Sequence, residues 1–183
     1  MNKTRLIILP ILGVFSALFL GWSTMSAQTV EKFTNQYREI EALPSGSVFT
    51  LTVTDDDVTA AANEYLNKFR DEIENMVQQA AGVKLSLSNP EIEFHTNNAV
   101  ASLRVGKGFL KVNASISAVV TWDGSLHVNV TSVDVPIISV DPATINAYIQ
   151  GPVNQGMAKV EQYYEIRSLQ VGDGEITAEV MKK

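Results

Sequence analysis

The sequence predicts an α+β fold in which long amphipathic helices pack on a strongly curved antiparallel β-sheet, with an N-terminal apolar membrane segment ahead of it. Three observations predict this. Apolar residues recur at steps of three and four from Val58 to Ala80 and again from Ile145 to Tyr164, the period of helices with one face toward a core. Stretches of strict apolar and polar alternation surround them, with Asp123-Gly124 and the Gly-Asp-Gly at 172–174 as tight turns. Residues 6–22 are almost wholly apolar, and no charge follows Arg5 until Glu31.

Composition excludes several classes of function. The chain has 183 residues, 45% hydrophobic and 19% charged, enough for one ordinary globular domain with its own core. Beyond Arg5 it carries 12 basic residues against 20 acidic ones, and no Lys/Arg cluster. Nucleic acid is therefore not an expected partner, because neutralising phosphates requires a basic face. With no cysteine, disulfides, thiol catalysis, thiolate metal sites and a lipid-modified cysteine are all excluded.

The chain divides into three parts. Residues 1–28 are a signal peptide or membrane anchor. The basic end stays in the cytoplasm under the positive-inside rule, which sends Glu31 to Lys183 across the membrane. The apolar run is intermediate in length between a signal peptide and a spanning helix. "TMSAQ" offers a cut after Ser26 or Ala27, with Met25 bulky for the peptidase, so both readings stay open. Residues 29–47 are an amphipathic stalk and linker: Val30, Phe33, Tyr37, Ile40 and Leu43 keep helical spacing until "LPSGS" breaks it. Residues 48–183 form the folded domain.

Its elements follow in order. Phe49, Leu51 and Val53 alternate as a strand. Thr54 is then the N-cap of a helix, Asp57 falls at N3 to complete a capping box, and Val53 and Val58 form a hydrophobic staple. Asp55, Asp56 and Asp57 favour the positive end of the helix dipole. A calcium loop would need acids at alternating positions, a central glycine and a distal glutamate, and this stretch has none of these. Val58, Ala62, Tyr65, Phe69, Ile73, Met76 and Ala80 form the apolar stripe of that helix, which Gly82 stops. Alternation then marks strands at Val83 to Leu87, at Ile92 to Phe94 after an interruption at Pro90, and at Ala99 to Val105. The longest strand, Leu110 to Trp122, turns at Asp123-Gly124 and returns through Leu126, Val128 and Val130. After Val130 the apolar phase slips by one, as a β-bulge requires. Asp141 caps a second helix with Pro142 at N1 and Val140 and Ile145 as its staple, and Gly151-Pro152 should kink or split it. A hairpin of Leu169 and Val171 with Ile176, Ala178 and Val180 ends the chain.

"FTLTVTDDDVTAAANEYL", "VVTWDGSLHVNV" and "IRSLQVGDGEITAEV" give the stretch from Phe49 to Val180 a pattern that resembles the LmeA-like bacterial extracytoplasmic phospholipid-binding proteins, related to the tubular lipid-binding (TULIP) superfamily. The resemblance implies a long helix cradled by a curved sheet, with lipid chains held between them, and it carries over no catalytic residue. The stalk from Val30 to Leu43 departs from the pattern, and the doubled architecture of larger relatives is absent.

The expected function is extracytoplasmic binding or transfer of a lipid or other hydrophobic ligand, in a periplasmic, secreted or outer-face-anchored protein. The apolar groove would be lined by Tyr65, Phe69, Ile73 and Met76 of the first helix, by Val112, Ala114, Ile116, Ala118 and Val120 of the long strand, and by Ile149, Val153 and Met157 of the second helix. Ala114 and Ala118 alternate with larger residues, which leaves either a slot or room for a helix to approach closely. The alternative is a membrane-anchored structural or accessory subunit of a membrane protein complex, with a filled core and no ligand. No enzymatic activity, cofactor or metal is expected. His95 and His127 sit at polar positions of alternating strands, and no nucleophile elbow, zinc-protease motif or phosphate loop occurs.

Overall fold

The computed structural model describes residues 39–81, 84–136 and 141–183. The apolar segment at 1–28, the stalk positions Val30, Phe33 and Tyr37, and Gly82, Val83 and Val140 lie outside the described residues. Among those described, no helix is long and apolar enough to cross a membrane. The elements are β1 (Val48–Thr54), α1 (Asp55–Lys68), α2 (Arg70–Ala81), β2 (Ser86–His95), β3 (Asn98–Lys107), β4 (Leu110–Trp122), β5 (Leu126–Asp134), α3 (Pro142–Glu161), β6 (Tyr164–Val171) and β7 (Glu175–Lys182).

The expectation of long helices on one curved sheet is corrected. Among the described residues strand outweighs helix, and the strands form two antiparallel sheets, one ordered β2-β3-β4-β5 and the other β1-β7-β6. The second sheet exists because β1 pairs with β7 from Val48↔Met181 to Thr54↔Glu175. Alternation in a sequence marks a strand and its buried face, but a partner so distant in the chain is selected only by tertiary packing.

The first helix is also shorter than its stripe. It begins as the sequence requires: the Thr54 hydroxyl accepts from the Asp57 N–H, and an Asp57 carboxylate oxygen accepts from the Thr54 N–H at 3.1 Å. It then breaks at Phe69, whose φ of −113° and ψ of 19° leave the helical region, and α2 resumes at once. The break lets Arg70 turn toward β2, where its Nη1 donates to the Leu87 carbonyl at 3.0 Å, while Ile73 stays buried. By contrast α3 runs unbroken through Gly151-Pro152. Ile149 and Val153, 3% and 2% exposed, seat the chain in the core on both sides of the proline. That anchoring overrides the missing N–H.

The core lies on one face of the four-stranded sheet. Phe94, Ala99, Ile116, Ala118, Val120, Val128 and Val130 pack there against Ala62 of α1 and Ile145, Ile149 and Val153 of α3. The slip after Val130 is a bulge in β5, since Ser117 faces Ser132 while its neighbour Ala118 faces Val130. A second irregularity, between Ser88 and Glu91 of β2, absorbs Pro90 without ending the strand, with Asn89 at φ 52°. Proline is tolerated there because β2 is an edge strand.

Both edges of this sheet are closed by helix side chains. On β2, the Thr59 hydroxyl accepts from the Ile92 N–H at 2.8 Å and Asn63 Nδ2 donates to the Pro90 carbonyl at 3.0 Å. On β5, Asn146 bonds Val130, and Gln150 accepts from the Val128 N–H at 3.4 Å and donates to the Leu126 carbonyl at 2.8 Å. Four residues of helix rise about 6 Å and two of strand about 6.8 Å, so side chains at i and i+4 meet alternate residues of the edge. The two sheets meet at Asn97, φ 57°, whose N–H donates to the Val171 carbonyl and whose carbonyl accepts from the Val120 N–H.

Candidate functional site

The residues expected to line one continuous groove fall into two packing clusters, bridged by Leu103 and Val133. Ile116, Ala118, Val120, Ile149 and Val153 belong to the first, with Met157 half-buried against it. Its centre is tightly packed: Ala118 and Ala62 are 0% exposed and Val153 2%, with Val58, Ala101, Trp122, Leu169 and Ile176 half-buried around them. The small side chains on β4 serve close approach here, as dense interior packing dictates.

The second cluster gathers Ile73 and Ala114 with Leu66, Leu85, Leu87, Val105 and Val135, and Tyr65, Phe69, Leu103, Val112 and Val133 pack half-buried around it. This is the distal end of the sheet, toward the β3–β4 turn. Its half-buried rim carries a pair of neighbouring aromatic side chains. The Tyr65 and Phe69 rings lie 4.7 Å apart at 46°, with the Lys68 ammonium 5.5 Å from the Phe69 centroid. The side chain of Met76 lies outside the described residues.

Leu66 was not expected in the stripe, yet it is 2% exposed while Tyr65 is half-buried. The buried line of α1 is Ala62–Leu66, one position round from the expected face, which leaves both aromatics on its shoulder. Four-residue spacing from Ala62 was the signal for Leu66. Leu103 was equally marked by alternation in β3.

A cavity of about 410 Å³ lies elsewhere, beside the start of α1, and shares no residue with the expected groove. Asp55, Asp56, Glu91, Glu93, His95 and Asp173 are among its lining residues. This surplus of carboxylates suits no acyl chain, because burying charge beside hydrocarbon is unfavourable. Asp173 Oδ1 accepts from the Thr96 N–H at 2.9 Å and ties the β6–β7 turn to the β2–β3 turn. His95 lies 3.6 Å from the Glu93 carboxylate, and His127 Nε2 lies 3.1 Å from Asp123 Oδ1. Both imidazoles are about half exposed. Among the described residues no group of three or more His, Asp or Glu side chains is gathered to hold a metal ion.

No family model, curated protein or solved structure matches this chain, and the likeness to the LmeA-like phospholipid-binding proteins rests on its sequence patterns alone.

Proposed function

We propose that the chain works outside the cytoplasm as a non-enzymatic module that binds a lipid or other hydrophobic ligand. The ligand's apolar part lies across the distal end, against Tyr65, Phe69 and Val112, and not in a groove running the length of the sheet. One observation carries this reading: the Tyr65 and Phe69 rings, 4.7 Å apart and half-buried, rim the second cluster together with Val112. Covering such surface with an acyl chain contributes about 0.8 kcal/mol per methylene buried, with no polar recognition motif required. Residues 1–28, as signal peptide or anchor, supply delivery to the membrane's outer side. The resemblance to extracytoplasmic phospholipid-binding proteins supports the ligand class, not a cradled long helix.

A second reading, an accessory subunit of a membrane protein complex, is favoured by the solid packing around Ala118 and Val153. Native mass spectrometry of the protein isolated from membranes separates the two. Phospholipid that accompanies the wild-type chain and is lost on Val112→Lys supports ligand binding at the distal end. Partner subunits in fixed stoichiometry without lipid support the accessory role. Lipid retained equally by the variant overturns the placement of the site.

A further inference from the structure

The β3–β4 hairpin runs past the core. Burial on its two strands ends at Gly106 and Ala114, and all five residues from Lys107 to Lys111 are exposed. At the turn, where Gly108 takes φ 61°, Phe109 is 95% exposed and Leu110 61%. One exposed apolar residue is ordinary on any protein surface. Here two adjacent ones occupy the point of a projecting hairpin, and cations surround them. Lys107 faces Leu110 and Lys111 faces Gly106 in the register, so the two lysines flank the tip on opposite faces of the ribbon. Arg104, also exposed, stands three residues further back. The charge around the tip opposes that of the chain: no Asp or Glu occurs between Phe94 and Trp122, in a protein of net charge −6.

We infer that this tip docks on the anionic surface of a lipid bilayer. Phe109 and Leu110 enter the boundary between headgroups and acyl chains, while Lys107, Lys111 and Arg104 remain at headgroup level. Apolar insertion and attraction to anionic headgroups act together in such a contact. Cations on both faces of an apolar point match a bilayer, because headgroups surround an inserted point on every side. The docking goes beyond the lipid binding proposed above and holds whether or not the distal end retains a ligand.

The absence of cysteine makes the test direct. A single Leu110→Cys substitution in the full chain is labelled with an environment-sensitive fluorophore, and Thr121→Cys, exposed at the opposite end of β4, serves as the control. The protein is reconstituted into vesicles of phosphatidylcholine alone or mixed with phosphatidylglycerol. The expected result on the mixed vesicles is blue-shifted emission at position 110 and at least about twofold stronger quenching by spin-labelled lipid than at position 121. Both should vanish when Lys107→Glu and Lys111→Glu are added. Equal quenching on neutral and anionic vesicles overturns charge-directed docking. So does a label at 110 as open to aqueous iodide as the one at 121. Protection from iodide without lipid quenching, as a protein partner or a second copy would give, overturns it too. The readout is separate from lipid co-purification, so failure of one proposal leaves the other standing or falling on its own data.

Discussion

The Asn146 carboxamide bonds both backbone groups of Val130: its Oδ1 accepts from the N–H at 2.7 Å and its Nδ2 donates to the carbonyl at 2.9 Å. A helix side chain thus stands where a fifth strand would otherwise pair, and Thr59 with Asn63 performs the same task on β2. Uncovered edges invite pairing with other chains. Asn146→Leu leaves both Val130 groups without these partners and should destabilise the protein by about 1–3 kcal/mol. Urea unfolding measures the loss, and faster hydrogen exchange at the Val130 amide localises it. Adding Asn63→Ala on the other edge should be additive, because the sites share no partner.

Removing the helix cap has a smaller and separable effect. Thr54→Ala eliminates the hydroxyl of the capping box and should lower stability by about 1 kcal/mol. Asp55→Asn and Asp56→Asn each weaken the dipole interaction by roughly 0.3–1 kcal/mol. Lipid co-purification should be unchanged in all three. Loss of lipid at unchanged melting temperature would turn attention to the acidic cavity these aspartates line.

The two β4 alanines expected to floor a groove have different surroundings. Ala118, 0% exposed at the centre of the first cluster, has no room for a larger side chain, so Ala118→Trp should cost about 1–3 kcal/mol or more. Tyr65→Trp, on the half-buried shoulder of α1, should be tolerated. Thermal melts of both variants decide this, and an unaltered melting temperature for Ala118→Trp would reveal a slot in the first cluster.

Gly106 is the tightest glycine in the hairpin. A Cβ there would lie 2.5 Å from Ser86 Oγ across the strand pair. Gly106→Ala therefore forces the Ser86 side chain into another rotamer and should cost no more than about 1 kcal/mol, and Ser86→Ala should recover part of the loss. A double-mutant cycle on the melting free energies measures the coupling.

The Tyr164 phenol is held above its ordinary value by burial and, secondly, by the negative charge of Glu41. A raised phenol keeps its proton longer in the folded state than in the unfolded chain. Its contribution to stability is thus complete below the unfolded value, about 10, and is lost as pH rises through the folded one. Glu41→Gln should move the titration part of the way back, read by tyrosinate absorbance, with the larger effect of burial remaining.

The parts of the fold legible in the sequence are those in which neighbouring residues make their own geometry. Thr54 and Asp57 form a cap because three residues of helix bring each side chain to the other's backbone N–H. Asp141 accepts from the Ala143 N–H ahead of Pro142 for the same local reason. The β5 bulge was visible as a phase slip at Val130, and the terminal hairpin as two alternating runs around Gly172 to Gly174. The candidate site was only half legible. Its apolar residues were identifiable by period, but period does not say whether the facing layer fills the space, and Leu66 shows that a helix can rotate by one residue and keep its stripe.

The sequence by itself determined where the two capped helices begin, which faces are apolar, that thiol chemistry is excluded, and that an apolar segment precedes the domain, because composition and short-range spacing dictate each of these. Tertiary structure alone decided that β1 crosses to β7, that the first helix breaks at Phe69, that α3 passes through Gly151-Pro152 intact, and that Ala118 is fully enclosed while Tyr65 and Phe69 stay half-buried at the rim. These depend on contacts between residues far apart in the chain. Hydrophobic packing has no direction of its own, so only the assembled layers fix which surfaces close on each other.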